Sequence, residues 1–212
     1  MAFTSLRSIA VASVLATVAV AAPVAQDSPI EGYTIVPITW EFDGPNGQVI
    51  QLNGTVQEVV AQLDLIVPNS QAKLIASIAA ASTASSTSRR DEESPLEKRY
   101  DEDKILCWVH GWTAASLRSI QDGINYLNGV SGRPSHGPGP STCARVSCSY
   151  GSAIYWCNDN RSLKELNSFK DIAHGADRIK NNCQQVVQAT VLTQGQIFYK
   201  DNWNVIVRGD NC

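Results

Sequence analysis

The chain has 212 residues, 43% of them hydrophobic, six cysteines and a formal net charge of −3. No stretch after the first 21 residues approaches the roughly 20 apolar residues that span a bilayer, and the charge excludes a strongly basic nucleic-acid binder. The charges divide unevenly: positions 22–99 hold five basic and ten acidic residues, whereas the chain from Tyr100 onward holds eleven and ten.

Residues 1–21 begin with one positive charge at Arg7, continue through an apolar run and end in Ala19-Val20-Ala21. This reads as a secretory signal peptide, too short and too rich in alanine for an anchor, so the remaining chain is expected outside the cell with no membrane span.

Residues 22–75 form a pro-region that contains no cysteine. Residues 33–42 (YTIVPITWEF) are strand formers, Asp43-Gly44-Pro45-Asn46-Gly47 supplies turn chemistry, and residues 48–52 alternate again, which predicts a hairpin. Thr55 and Glu58 have capping-box spacing and open a helix with Val56, Val59, Val60 and Leu63 on one face, stopping before Pro68. A ββα unit of this kind is suited to mask or assist the domain that follows.

Residues 76–99 are small and polar, then charged, with no periodic apolar face, and are read as a disordered, protease-accessible linker. It ends in Lys98-Arg99, which resembles the dibasic sites cut by kexin-type processing proteases of the fungal secretory route; Arg89-Arg90 is a second pair. Cleavage there releases residues 100–212, which contain Cys107, Cys143, Cys148, Cys157, Cys183 and Cys212.

An even cysteine count in a short secreted segment predicts a disulfide framework, and without C-x-x-C spacing or clustered histidines no zinc site is expected. Six cysteines allow 15 pairings. Joining Cys212 to an earlier strand would tie down the chain end.

In this segment residues 104–110 (KILCWVH) predict a strand, and Thr113 caps a helix carrying Leu117, Ile120, Ile124 and Leu127 to Gly129. A Gly/Pro-rich loop leads to strand-like runs at 142–149 and 153–158, which suit a hairpin. Ser168 and Asp171 form a second capping box before Phe169, Ile172, Ala173, Ala176 and Ile179, and runs at 196–199 and 203–207 close the chain as strands. The order is a split βαβ (βαββαβ-like) pattern. It predicts an α+β two-layer sandwich in which two helices cover one face of an antiparallel sheet, stapled by disulfides.

No cofactor-binding or catalytic signature stands out. His110, His136 and His174 fall on a predicted strand, a loop and a helix. A ribonuclease-like hydrolase would pair His110 or His174 with Asp159 or Asp201 for acid–base work. Asn160-Arg161-Ser162 and Asn53-Gly54-Thr55 match glycan acceptors. Arg208-Gly209-Asp210 presents opposite charges to a receptor if it lies on an exposed loop. Among Trp108, Trp112, Trp156 and Trp203, Trp112 sits at a strand-to-helix turn and is the aromatic best placed to meet a partner.

The leader, the cysteine-free pro-region, Lys98-Arg99, and the segments Cys143-Ala144-Arg145-Val146-Ser147-Cys148, Tyr155-Trp156-Cys157-Asn158-Asp159-Asn160 and Asp201-Asn202-Trp203-Asn204-Val205-Ile206-Val207 together resemble small secreted cysteine-rich proteins of filamentous fungi. In element order residues 104–212 are similar to killer-toxin-like and necrosis-inducing effectors. That resemblance implies a two-layer α/β sandwich and a protein that binds a surface target on a host or a competing microbe without catalysis. A small secreted hydrolase and a non-toxic wall or surface protein are the alternatives.

Overall fold

A computed structural model describes residues 28–87 and 101–212. The leader and both dibasic pairs, Arg89-Arg90 and Lys98-Arg99, lie outside the described residues. The first part contains β1 (Thr34–Ile35), β2 (Thr39–Asp43), β3 (Val49–Asn53), α1 (Val56–Ile66) and α2 (Ser70–Thr87). The second contains β4 (Glu102–Cys107), β5 (Ala115–Ser116), α3 (Leu117–Gly129), β6 (Ser135–His136), β7 (Thr142–Ser149), β8 (Ser152–Asn158), β9 (Lys164–Glu165) and α4 (Phe169–Asn182). It ends with β10 (Gln184–Val187), β11 (Thr190–Thr193), β12 (Gly195–Tyr199) and β13 (Trp203–Gly209).

The architecture is the expected α+β sandwich. Strands β7, β8, β13, β12 and β4 lie side by side in that order, every neighbouring pair antiparallel. The two closing runs are separate strands, β12 and β13, joined as a hairpin. Both helices of the second part pack on one face, where α3 and α4 bury Ile120, Ile124, Leu127, Ile172, Ala176 and Ile179 against Ile154, Trp156, Val205 and Ile197. Both capping boxes form as read, with Thr55 accepting from Glu58 N and Ser168 accepting from Lys170 N. The Thr55 backbone amide, donating to Glu58, holds that carboxyl below the usual carboxylate range.

All six cysteines pair, Cys107–Cys183, Cys143–Cys157 and Cys148–Cys212. The first joins the end of β4 to the C-cap of α4, the second links directly opposed residues of β7 and β8, and the third ties the chain end to β7. Cys212 thus pairs with an earlier strand. Among the described residues no helix is long and apolar enough to cross a membrane.

Three features depart from the sequence reading. First, residues 76–87 belong to α2 and are not linker. Alanine has the highest helix propensity, and Leu74 and Ile78 lie against Gly129, where an added Cβ would come within 2.7 Å of each. Second, β10 and β11 form a hairpin that the sequence reading does not include. Gln188 and Ala189 turn it with φ of 46° and 65°, a conformation normally signalled by Asn or Gly. Third, α3 is entered at Ser116, while Thr113 Oγ1 donates to Gly209 O at 2.8 Å and so ties the α3 approach to β13.

Residues 28–87 do not stand apart from the rest of the chain. Ile38 just ahead of β2, Trp40, Ile50 and Leu52 of the hairpin β2–β3, and Val56, Val59 and Val60 of α1 join the same apolar cluster as α3, α4 and the sheet. Trp40 stacks on Phe169 with ring centroids 4.2 Å apart and 8° between planes. On the opposite face, residues 28–36 form a strap. Ile30 is buried with Cys143, Ala153, Tyr155, Cys157 and Ile206, and β1 pairs in parallel with the outer edge of β7.

Candidate functional site

Alternation along the strands sends Arg145 of β7, Tyr155 of β8, Asn204, Ile206 and Arg208 of β13, and Gln196 of β12 to the face away from the helices. A bulge between Arg145 and Ser147 sets Arg145 opposite Tyr155 while Ser147 sits opposite Ile154. Two polar groupings result. In one, Asp210 accepts from the Tyr155 hydroxyl and lies 3.2 Å from Arg145 Nη1, which also donates to Asn211 O at 2.8 Å. Burial, then the bond and negative charge of Asp210, push the Tyr155 phenol well above its ordinary value.

In the other, Asn204 Nδ2 donates to Asp159 Oδ2 at 2.7 Å and to the Tyr33 hydroxyl of the strap at 2.9 Å, and Gln196 Nε2 donates to Asn204 Oδ1 at 3.0 Å. Burial and the Asp159 carboxylate push the Tyr33 phenol up to about 12. Arg208 donates to Pro29 O, so the strap supplies partners to Arg208, Asn204 and Gln196 alike. The face is closed in this state, its donors satisfied from within the chain.

This arrangement decides how the sequence candidates are presented. Arg208-Gly209-Asp210 is not an exposed loop: Arg208 is 8% exposed, Gly209 completes β13, and Asp210 is engaged by Arg145 and Tyr155. The guanidinium of Arg208 lies 5.7 Å from the Trp112 ring centroid, and half-buried Trp112 packs beside Ile30. The triplet therefore serves the fold, and Trp112 is partly covered by the strap. Asn160 Nδ2 lies within hydrogen-bond distance of Asn158 Oδ1, Asp201 O and Asn202 O, so a glycan there would disturb the bonding of a strand-end turn. Asn53 lies exposed on β3, its Oδ1 accepting from Thr39, which leaves its amide nitrogen accessible.

The acid–base pair of the hydrolase alternative is not assembled. His110 and His174 are exposed and neither bonds Asp159 or Asp201; Asp159 is held by Asn204, and Asp201 by Lys164 at 2.6 Å and by Trp203 Nε1 at 2.7 Å. The third histidine, His136, is buried against Trp156 with ring centroids 5.3 Å apart at 89°, and its Nε2 has no hydrogen-bond partner. Burial holds its pKa below the ordinary value, against the Gly137 carbonyl, which raises it. Among the described residues no group of three or more His, Cys, Asp or Glu side chains is placed to hold a metal ion.

An exposed apolar surface that the sequence reading passed over is the β10–β11 hairpin. Val186 and Val191 face each other across its strands at 75% and 37% exposure, and Val187 at the turn is 41% exposed. Cys183 stands immediately before β10 and is buried in its bond to Cys107, and Thr193 at the far end pairs with Ala115 of β5. An apolar ribbon is thereby projected from a root fixed by a disulfide and by strand pairing. The run of β-branched residues in QQVVQATVLT was the available signal, masked by the lack of any turn residue between its halves.

No family model matches this chain, and neither a curated protein nor a solved structure matches it.

Proposed function

We propose that this is a secreted effector or toxin-like protein of the fungal cysteine-rich kind. A kexin-type protease cuts it after Lys98-Arg99, and it acts by binding a surface target on a host or competing microbe. The observation that carries the reading is the apolar β10–β11 hairpin, exposed at Val186, Val187 and Val191 and anchored at its root by Cys107–Cys183. Exposed apolar side chains on an ordered frame favour protein contact, and a disulfide root limits the entropy lost when the hairpin is captured. The leader at residues 1–21 and the disulfide framework are consistent with passage through an oxidising secretory route.

The test applies the processed protein to plant tissue and to fungal cultures, beside a Val186→Asp variant. The wild type elicits a response in at least one system and Val186→Asp loses it, while its thermal unfolding stays within about 0.5 kcal/mol of wild type as for an exposed substitution. No response in either system over a wide concentration range rejects the effector reading and leaves the wall-protein alternative. A response undiminished in Val186→Asp rejects the hairpin as the contact.

A further inference from the structure

We infer that the pro-region stays bound to the cysteine-rich domain after cleavage, as the second subunit of a non-covalent two-chain protein. The inference rests on the processing step proposed above and concerns what that step leaves behind. The covalent boundary at Lys98-Arg99 does not coincide with any boundary in the packing. Strand β7 is enclosed by the pro-region on three sides. The strap lies over Cys143 on one face, β1 pairs with its edge, and α1 packs against it from the helix side.

Polar bonds cross at each of these contacts. Thr34 N and Val36 N donate to Ser141 O and Cys143 O at 2.9 and 2.8 Å, extending the sheet. From α1, Gln57 Nε2 donates to Ser147 Oγ at 2.8 Å, and Gln57 Oε1 accepts from Cys148 N at 3.2 Å, a bridge onto the bulged end of β7. Tyr33 and Pro29 complete the partners of Asn204, Gln196 and Arg208.

Departure of the pro-region would uncover the Phe169 ring beneath Trp40, open an edge of the sheet and leave these donors to water. None of this depends on the peptide bond after Arg99, and no disulfide crosses the cut because all six cysteines pair within the second part. Retention also keeps the face bearing Arg208 and Asn204 closed. The β10–β11 valines are exposed with the pro-region in place, so the retained subunit leaves the proposed contact surface free.

The experiment treats the secreted full-length chain with a kexin-type protease and follows it in two ways. Denaturing electrophoresis without reductant resolves two fragments, and native gel filtration at about 1 μM shows them eluting together as one species. Gln57→Ala, which removes the bridge to Ser147 and Cys148 while leaving the apolar contacts, weakens retention about tenfold and leaves the uncut chain with native circular dichroism. Elution of the 100–212 fragment alone, or its precipitation while the pro-region remains in solution, overturns the inference and leaves the effector reading standing. A chain that resists the protease overturns the processing step instead. The same elution measurement on a chain with another sequence-specific site inserted after Arg99 then decides the inference by the same two outcomes.

Discussion

Trp40→Ala is the perturbation that separates a shared core from two cores in contact. Trp40 is fully buried, stacks on Phe169 of α4 and donates from Nε1 to Gly54 O at 2.8 Å. Truncating a buried aromatic costs about 3–5 kcal/mol, and complete burial with a stacked partner places this site toward the upper end. That is a third or more of the total stability of a typical domain, about 5–15 kcal/mol. The assay is guanidinium unfolding of the uncut, oxidised chain, followed by far-ultraviolet circular dichroism and by tryptophan fluorescence. In the variant the four remaining tryptophans, Trp108, Trp112, Trp156 and Trp203, all belong to the cysteine-rich part, so fluorescence reports on that part alone. With a shared core, both signals move together to lower denaturant as one transition. If circular dichroism shows an early step while the fluorescence transition stays within about 0.5 kcal/mol of wild type, residues 28–87 are a separate folding unit and the reasoning fails.

Replacing both Cys107 and Cys183 by alanine opens a loop closed across a sequence separation of 76, and the chain-entropy estimate for that length is a loss of about 4.5 kcal/mol at 25 °C. Thermal unfolding measures the loss, and hydrogen exchange at β10 and β11 accelerates more than at β8. Uniform acceleration would show that the disulfide does not specifically anchor the hairpin. For His136 the folded pKa lies below that of the unfolded chain, so the group contributes no penalty above about pH 6.5. Stability is lost as pH falls below that value, because the unfolded chain takes up the proton first. The melting temperature measured from pH 7 to 5 therefore falls more steeply in wild type than in His136→Phe, and parallel curves would refute the assignment.

The elements most legible in sequence were those whose signal is local. Thr55 with Glu58 and Ser168 with Asp171 announce their helices because the capping bonds close within three residues, and the strand-forming runs at 142–149 and 203–207 fall on β7 and β13. Helix α2 escaped because its apolar contacts, Leu74 and Ile78 on Gly129, lie across the chain and leave no amphipathic stripe in a run of alanine and serine. The site was less legible for the same reason. Arg208-Gly209-Asp210 reads as a displayed triplet until Tyr155, Arg145 and the strap are placed around it. The exposed hairpin was passed over because Gln188 and Ala189 adopt a turn conformation that their composition does not advertise, which hid the pairing of the two β-branched halves.

The cysteine distribution and the hydrophobic core divide the chain in different places, and that mismatch has a physical consequence. A disulfide stabilises chiefly by restricting the unfolded chain, and it neither covers an apolar face nor satisfies the edge of a sheet. Three of them hold residues 107–212 together against unfolding, yet the edge of β7, the Phe169 ring and the donors of Asn204 and Arg208 are completed by residues that carry no cysteine. Stapling and covering are thus assigned to different segments. The apolar core is shared by residues 28–87 and 101–212, whereas the disulfide framework is confined to residues 107–212, so a cut between the two segments would break no disulfide and remove no side chain from the core.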